Sequence, residues 1–398
     1  MKEQAVVIVG GGQAALSAAT KLRALGHSGS LDILSAEPVA PYQRPPLSKK
    51  YLLGEMTLER LLLKPPSFYE EAGIGLHLNE PVLSIDRQAQ RVETAQRSLP
   101  YDALILATGS RPRRLPAAMG GDLPGVLTVR DLADIDAMAP LLVAGARALV
   151  VGGGYIGLEA AAVARKRGVA VTLIEMAPRI LNRVAAPETA DFFRDRHRAE
   201  GVDLREGVGL TRLEAGAPLD AVLSDGTTLS VDAVIVGIGI EPEATLATAA
   251  GLTIDNGIAV DAMGRTSDPA IWAAGDCASF PWRAHDGAKV RIRLESVQNA
   301  IEQAEHVAAG VMGEITPYAP LPWFWSDQYD VKLQIAGLNR GYDSVRLRPG
   351  TRPGGQSVWY FFAGRLVAVD AMNDPRAYMQ GKRWLEAGAD PEAGWFDV

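Results

Sequence analysis

The chain has 398 residues, 47% hydrophobic and 22% charged, a globular composition long enough for two or three domains. A formal charge of −7, with no long Lys/Arg run, speaks against a nucleic-acid binder. Its single cysteine, Cys277, excludes an intramolecular disulfide and a cysteine-based metal cluster, and suits a reducing cytoplasm.

Lys2 precedes an apolar run, as in a signal peptide, but Glu3 and Gly10-Gly11-Gly12 argue against one, and no stretch reads as a membrane span. Residues 5–9 predict a strand that feeds Gly10, Gly12, Ala14 and Ala15 in a G-x-G-x-x-A turn. A helix to about residue 25, a break at Gly26 and a strand over 31–34 follow, and then Glu37. In Pro41-Tyr42-Gln43-Arg44-Pro45-Pro46-Leu47-Ser48-Lys49-Lys50 the prolines stiffen a loop rich in cations. It is either a solvated proline turn or a clamp on a flavin ring and its phosphates. Residues 68–97 read as alternating short strands. Residues 101–110 read as a buried strand ending in the small residues Ala107, Thr108 and Gly109.

Residues 115–144 read as a linker and entry helix, with Arg130 near the middle. The stretch that organises the chain is ALVVGGGYIGLEAAAVARKRGVAVTLIEMAP, residues 148–178. A strand meets Gly152, Gly154 and Gly157, a helix is expected over 158–167, Gly168 breaks it, and a second strand ends on Glu175. The first glycine permits the tight turn, the second lets the backbone approach a pyrophosphate, and the third lets helix and strand pack closely. The helix N-terminus favours the pyrophosphate's charge, and the acid is placed for a ribose diol. Two such units in one chain form an internal repeat. It extends further, because residues 231–242 repeat the Asp, apolar run, small residues and proline of residues 102–112. Residues 188–200 predict a charged helix and residues 202–229 a β-meander with an Asp225-Gly226 hairpin turn. A strand ends at Gly275-Asp276, and residues 296–310 are helix-like. From about residue 317 aromatic residues crowd a third, α+β domain.

With VVIVGGGQAA, PYQRPPLSK, DALILATGSRPR, VVGGGYIGLEAAA, DAVIVGIGIEP, IWAAGDCA and PWFWSDQYD assembled, essentially the whole chain resembles the two-dinucleotide-binding flavoprotein reductases. Within them it is similar to the NADH-dependent ferredoxin reductases of bacterial oxygenase systems. The resemblance implies an α/β fold with two Rossmann-like, glutathione-reductase-like domains and a C-terminal α+β domain. FAD binding is expected in residues 1–112 and 243–317, NADH binding in 113–242, and the C-terminal domain in 318–398. Flavin positions are matched by Gly10, Gly12, Ala14, Ala15, Glu37, Arg44, Pro45, Lys49 and Val82, then by Ala107, Thr108, Gly109, Arg130, Asp276, Glu295 and Val297. Glu295-Ser296-Val297-Gln298 stands where the family often carries a tryptophan near the flavin. Nicotinamide-cofactor positions are matched by Gly152, Gly154, Tyr155, Ile156, Gly157, Glu159, Glu175, Arg183 and Gly239.

Relatives in the superfamily relay electrons through cysteine just after the first nucleotide unit, where this chain has Arg44-Pro45-Pro46-Leu47-Ser48. The resemblance therefore implies that electrons leave the flavin directly for a [2Fe–2S] ferredoxin, which supplies a cytochrome P450 or ring-hydroxylating oxygenase. Lys49 and Glu159 are the candidate catalytic pair. A carboxylate at Glu175 favours NADH over NADPH, with Arg179 and Arg183 near enough to soften the choice. Lys332, Arg340, Arg346, Arg348 and Arg352, with Arg291 and Arg293, suggest a basic face for an acidic ferredoxin, on a protein expected to be a monomer. Two other classes stay open: an NADH oxidase or peroxidase, disfavoured by the missing cysteine, and a flavoprotein resembling apoptosis-inducing factor, disfavoured by the lack of basic runs.

Overall fold

Val6-Val7-Ile8-Val9 is β-branched throughout and has no polar face, so it suits a strand covered on both sides. In the computed structural model, which describes residues 3–314, 316–392 and 394–397, Val6–Val9 is the central strand of a five-stranded parallel sheet. The order is Ile271–Ala273, Ala103–Leu106, Val6–Val9, Leu31–Leu34, Gly75–His77. Helices Gln13–Ala24 and Val297–Val311 share the core beside it. Ala15, Ala18 and Ala19 meet Ala304 and Ala308 in that core, and such small side chains let helices approach closely. This sheet belongs to a unit made of Met1–Gln43, Leu58–Arg111 and Glu241–Pro322.

The second unit comprises Arg44–Thr57, Pro112–Ile240 and Trp323–Val398. Its parallel sheet has the order Asp203–Glu206, Ala170–Glu175, Arg147–Val151, Ala233–Val236, Val126–Leu127. The alanine-rich helix Tyr155–Lys166 connects the central strand Arg147–Val151 to its neighbour Ala170–Glu175. The same unit holds a five-stranded antiparallel sheet built from residues 323–372. Helix Pro375–Ala387, capped by Asp374, packs on it through Tyr378 and Trp384 against Trp359 and Val369. Two Rossmann-like parallel sheets and a C-terminal α+β segment are the fold class expected from the sequence.

Local readings need correction in three places. Pro66–Glu71 is helical, although residues 68–97 read as strands; Pro66 sits in its first turn, where its missing N–H costs nothing. Asp203–Glu206 is no part of a meander: it pairs in parallel with Ala170–Glu175, and the meander starts at Leu210–Glu214, after Gly207 and Gly209 interrupt the chain. The central helix starts at Tyr155 rather than residue 158, because Gly154 itself is the N-cap.

Candidate functional site

The two glycine turns share one construction. Gly10 takes φ +127° and Gly152 φ +108°, and a Cβ on either would strike a backbone carbonyl, Ala107 O at 2.2 Å or Gly237 O at 2.4 Å. Glycine is the residue such a position accepts. Two residues on, Gly12 and Gly154 are the N-caps of their helices. Each has extended backbone, neither helix is capped by a side chain there, and a Cβ on either glycine would meet nothing within 4 Å. Uncapped N–H donors, an aligned dipole and open space therefore coincide at both helix starts, the setting that suits a pyrophosphate. The third position differs. A Cβ on Gly157 would fall 2.0 Å from Gly152 O, whereas the first turn tolerates a fully buried Ala15.

In the first unit Glu37 accepts a hydrogen bond from the Tyr42 hydroxyl, and its backbone N–H donates to Ser35 Oγ at 3.2 Å. Thr108 Oγ1 donates to the Glu243 carbonyl at 2.5 Å, next to Gly109 at φ +73°. Ser110 Oγ donates to Asp276 Oδ2 at 2.8 Å, which ties Asp276 to the strand end that carries Ala107–Gly109. Glu295 is exposed and ion-paired to Arg293 at 2.6 Å, one residue before Ser296 caps the helix that Val297 begins. Val82 opens a three-stranded antiparallel sheet. Four of the flavin-matching positions, Arg44, Pro45, Lys49 and Arg130, fall in the second unit, where Arg44 Nη1 donates to the Arg130 carbonyl at 3.0 Å.

Glu175 ends the second strand of the second unit and is held at both oxygens. Oε2 accepts the Gly153 N–H and Oε1 the Ala177 N–H, each at 2.7 Å. Arg179 is turned away from the acid: its guanidinium donates to the Ala185 carbonyl at 2.8 Å. Arg183 is exposed and lies beside Gly239, which takes φ +109°. Ile156 is 39% exposed at the helix start, while the Tyr155 hydroxyl is buried and its ring lies 5.1 Å from that of Phe324.

The candidate catalytic residues are in contact. Lys49 Nζ lies 2.8 Å from Glu159 Oε2, with the two side chains 17% and 11% exposed. The turn Leu47–Tyr51 brings Lys49 there through a non-helical backbone (φ −128°, ψ −106°). Burial holds the Glu159 carboxyl above the usual carboxylate range, against the downward pull of Lys49 and of a hydrogen bond from Ser326. Ser326 carries no sequence signal for this contact: it lies within the aromatic stretch WFWSDQY, and its partner is 167 positions away.

Two other sequence readings are revised. Arg348 is no surface cation. It is 5% exposed, 3.8 Å from Asp374, and its guanidinium lies 4.5 Å from the Trp395 ring centre. Arg346 stays exposed while packing over Phe361 and Phe396, and Arg291 donates to the Val260 carbonyl at 2.7 Å. Lys332, Arg340 and Arg352 are exposed. Cys277 is fully buried, its thiol near the Leu106 and Ala274 carbonyls, and burial pushes the thiol up, away from the reactive thiolate. Among the described residues no helix is long and apolar enough to cross a membrane.

Residues 4–304 match the pyridine nucleotide-disulphide oxidoreductase family, and residues 323–396 match the reductase C-terminal family. The chain is 44% identical over 395 residues to a ferredoxin–NAD(P)(+) reductase of Sphingomonas sp, covering 98% of this chain and 95% of that one. It is similar to a crystal structure of the covalent putidaredoxin reductase–putidaredoxin complex, with 42% identity, a TM-score of 0.91, and 96% and 93% of the two chains covered. A crystal structure of the ferredoxin reductase for the CYP199A2 system from Rhodopseudomonas palustris gives 39% identity and a TM-score of 0.91, covering 98% and 96%.

Proposed function

The chain belongs to the pyridine nucleotide-disulphide oxidoreductase family, and on that footing we propose that it is an FAD-dependent NADH:ferredoxin oxidoreductase. Its electrons go to a [2Fe–2S] ferredoxin that supplies a cytochrome P450 or a ring-hydroxylating oxygenase. The observation that carries the reading is the duplicated glycine turn, open at Gly12 and at Gly154, in a chain whose one cysteine is buried. Two of the relatives named above are ferredoxin reductases by name and the third is a putidaredoxin reductase, which supports the choice of acceptor.

We assign FAD to the first unit, with its pyrophosphate at Gly10–Ala15, Glu37 for the ribose and Asp276 for the ribityl chain. NADH goes to the second, with its pyrophosphate at Gly152–Gly157, Glu175 for the ribose diol and Arg183 for phosphate charge. When bound, FAD would supply the exchange of a hydride from NADH for single electrons to the iron–sulfur partner. The chain's own residues bind, orient and set the charge. The glycine turns fix both dinucleotides by their backbones. Glu175 discriminates by repelling a 2′-phosphate at a site whose backbone already holds its carboxylate. Lys49, held in place by Glu159, would supply a fixed positive charge in the second unit. Cys277 takes no part.

The docking partner is an acidic ferredoxin, steered by the exposed Lys332, Arg340, Arg346 and Arg352; with Arg348 buried, the cationic patch is smaller than the sequence suggests. The test is direct. Purified protein should take up FAD, oxidise NADH anaerobically and reduce [2Fe–2S] ferredoxins from a panel, with a steep loss at high salt and little change in ferricyanide reduction. A colourless protein that binds no FAD, or one that reduces oxygen rapidly and no ferredoxin, would refute the reading.

A further inference from the structure

Glu159 is 9% exposed, and a carboxylate in such surroundings needs compensation beyond one cation. Its Oε2 has Lys49. Its Oε1 accepts the hydroxyl of Ser326 at 2.7 Å, and Ser326 is fully buried on strand Trp323–Gln328. Gln328 Nε2 donates to Ser326 Oγ at 3.2 Å. Gln328 Oε1 is 2.9 Å from His197 Nε2, and His197 Nδ1 is 3.1 Å from the Tyr329 hydroxyl. Gln328 and His197 are also fully buried.

The directions of these bonds follow from the donor inventory. Ser326 Oγ donates to Glu159 Oε1, so its one proton is committed there. Ser326 Oγ then accepts, so the amide end of Gln328 faces it and the amide carbonyl faces His197. That oxygen needs a donor, so His197 carries its hydrogen on Nε2, and its Nδ1 accepts from Tyr329. Burial pushes the imidazole down to about 4, which keeps the ring neutral and this tautomer available near neutral pH. The far end is also set. Tyr329 takes φ +55° in the turn after the strand, and its ring lies 5.0 Å from His197. Every hydrogen in the chain points toward Glu159, and bonds aligned in one sense polarise one another.

We propose that Ser326, Gln328, His197 and Tyr329 form a one-way hydrogen-bond chain that favours the charged form of Glu159 against its burial and aims it at Lys49, which makes them positioning residues for the reaction. The charged groups that face Glu159 are Lys49 from the turn Leu47–Tyr51 and Asp327 from strand Trp323–Gln328; Arg196 faces His197. Lys49 favours the carboxylate and Asp327 opposes it. The consequence for catalysis rests on the role proposed above for Glu159, whereas the effect on its titration does not.

The experiment follows Glu159 directly by isotope-edited difference infrared spectroscopy of the FAD-loaded full chain, with Glu159→Gln identifying the band of the protonated carboxyl. In Ser326→Ala that band should persist to a pH about 1 unit higher than in the parent, and in Gln328→Leu to a smaller extent, with folding and FAD content retained. The acid limb of kcat for NADH-dependent ferricyanide reduction should move with it. If Ser326→Ala fails to fold, Gln328→Leu reads the same shift. A Glu159 titration unchanged in either folded variant overturns the chain. A shifted titration with an unmoved kcat limb upholds the chain and removes the catalytic role of Glu159.

Discussion

Thr189 Oγ1 donates to Asp370 Oδ2 at 2.8 Å, joining helix Pro187–Ala199 to strand Arg365–Met372 with both side chains out of contact with solvent. The Tyr360 hydroxyl donates to the same oxygen. Burial pushes the Asp370 carboxyl up to about 6, against the pull of Tyr360 and Thr189. A raised carboxyl stabilises the fold in its protonated form, fully below its ordinary 3.8, and this is lost as pH rises through about 6. His197, held neutral near 4, works the other way: its contribution is present above its ordinary 6.5 and lost as pH falls through about 4. The two slopes oppose each other in the acid range. Asp370→Asn should remove one of them. Its unfolding free energy should fall by about 2–3 kcal/mol more than the parent's between about pH 6.5 and pH 4, as read from denaturant melts. Parallel curves for variant and parent would show that Asp370 does not titrate in this range.

The glycines of each turn should separate by role. Gly154→Ala adds a Cβ that meets nothing within 4 Å, so the fold should stay within about 1 kcal/mol of the parent while the KM for NADH rises roughly tenfold. Gly152→Ala adds one 2.4 Å from the Gly237 carbonyl at φ +108° and should cost about 1–3 kcal/mol of stability. Thermal melts beside NADH kinetics distinguish the two. Equal destabilisation by both substitutions would remove the open space inferred at Gly154.

Lys49→Met should leave FAD bound and slow flavin bleaching by NADH in stopped flow by roughly 10- to 100-fold, the worth of one charge-assisted hydrogen bond. An unchanged rate would remove Lys49 from the chemistry.

Glu175→Ala should raise the KM for NADH about tenfold and bring NADPH within about tenfold of it, because the carboxylate that repels the 2′-phosphate is gone. NADPH use should still fall short of NADH, since Arg179 is committed to the Ala185 carbonyl. An unaltered preference in steady-state kinetics with both nucleotides would place the discrimination elsewhere.

What the sequence disclosed and what it withheld have one physical origin. Gly10, Gly12, Gly152 and Gly154 were legible because backbone sterics and helix starts are local, and a strand, turn and helix in order leave little choice. Ser326, Gln328 and His197 were hidden because their partners are far along the chain: Ser326 reaches Glu159 across 167 positions and His197 reaches Gln328 across 131. His197 lies in a run, FFRDRHRAE, that looks solvated from its charge, yet the ring is fully buried. Arg348 misled in the same way, because the Trp395 ring and Asp374 that accept it lie outside its own strand. Burial of a polar side chain is decided by what packs on it, and no periodicity records that.

The central claim is that charge passes from NADH to a ferredoxin through FAD alone, with sulfur taking no part. It is tested most directly by Cys277→Ser, assayed anaerobically for NADH-dependent reduction of a [2Fe–2S] ferredoxin with FAD content measured alongside. Per bound FAD, the variant should reduce ferredoxin within about twofold of the parent, as expected of a buried, unreactive thiol. Loss of ferredoxin reduction with FAD still fully bound would contradict the account.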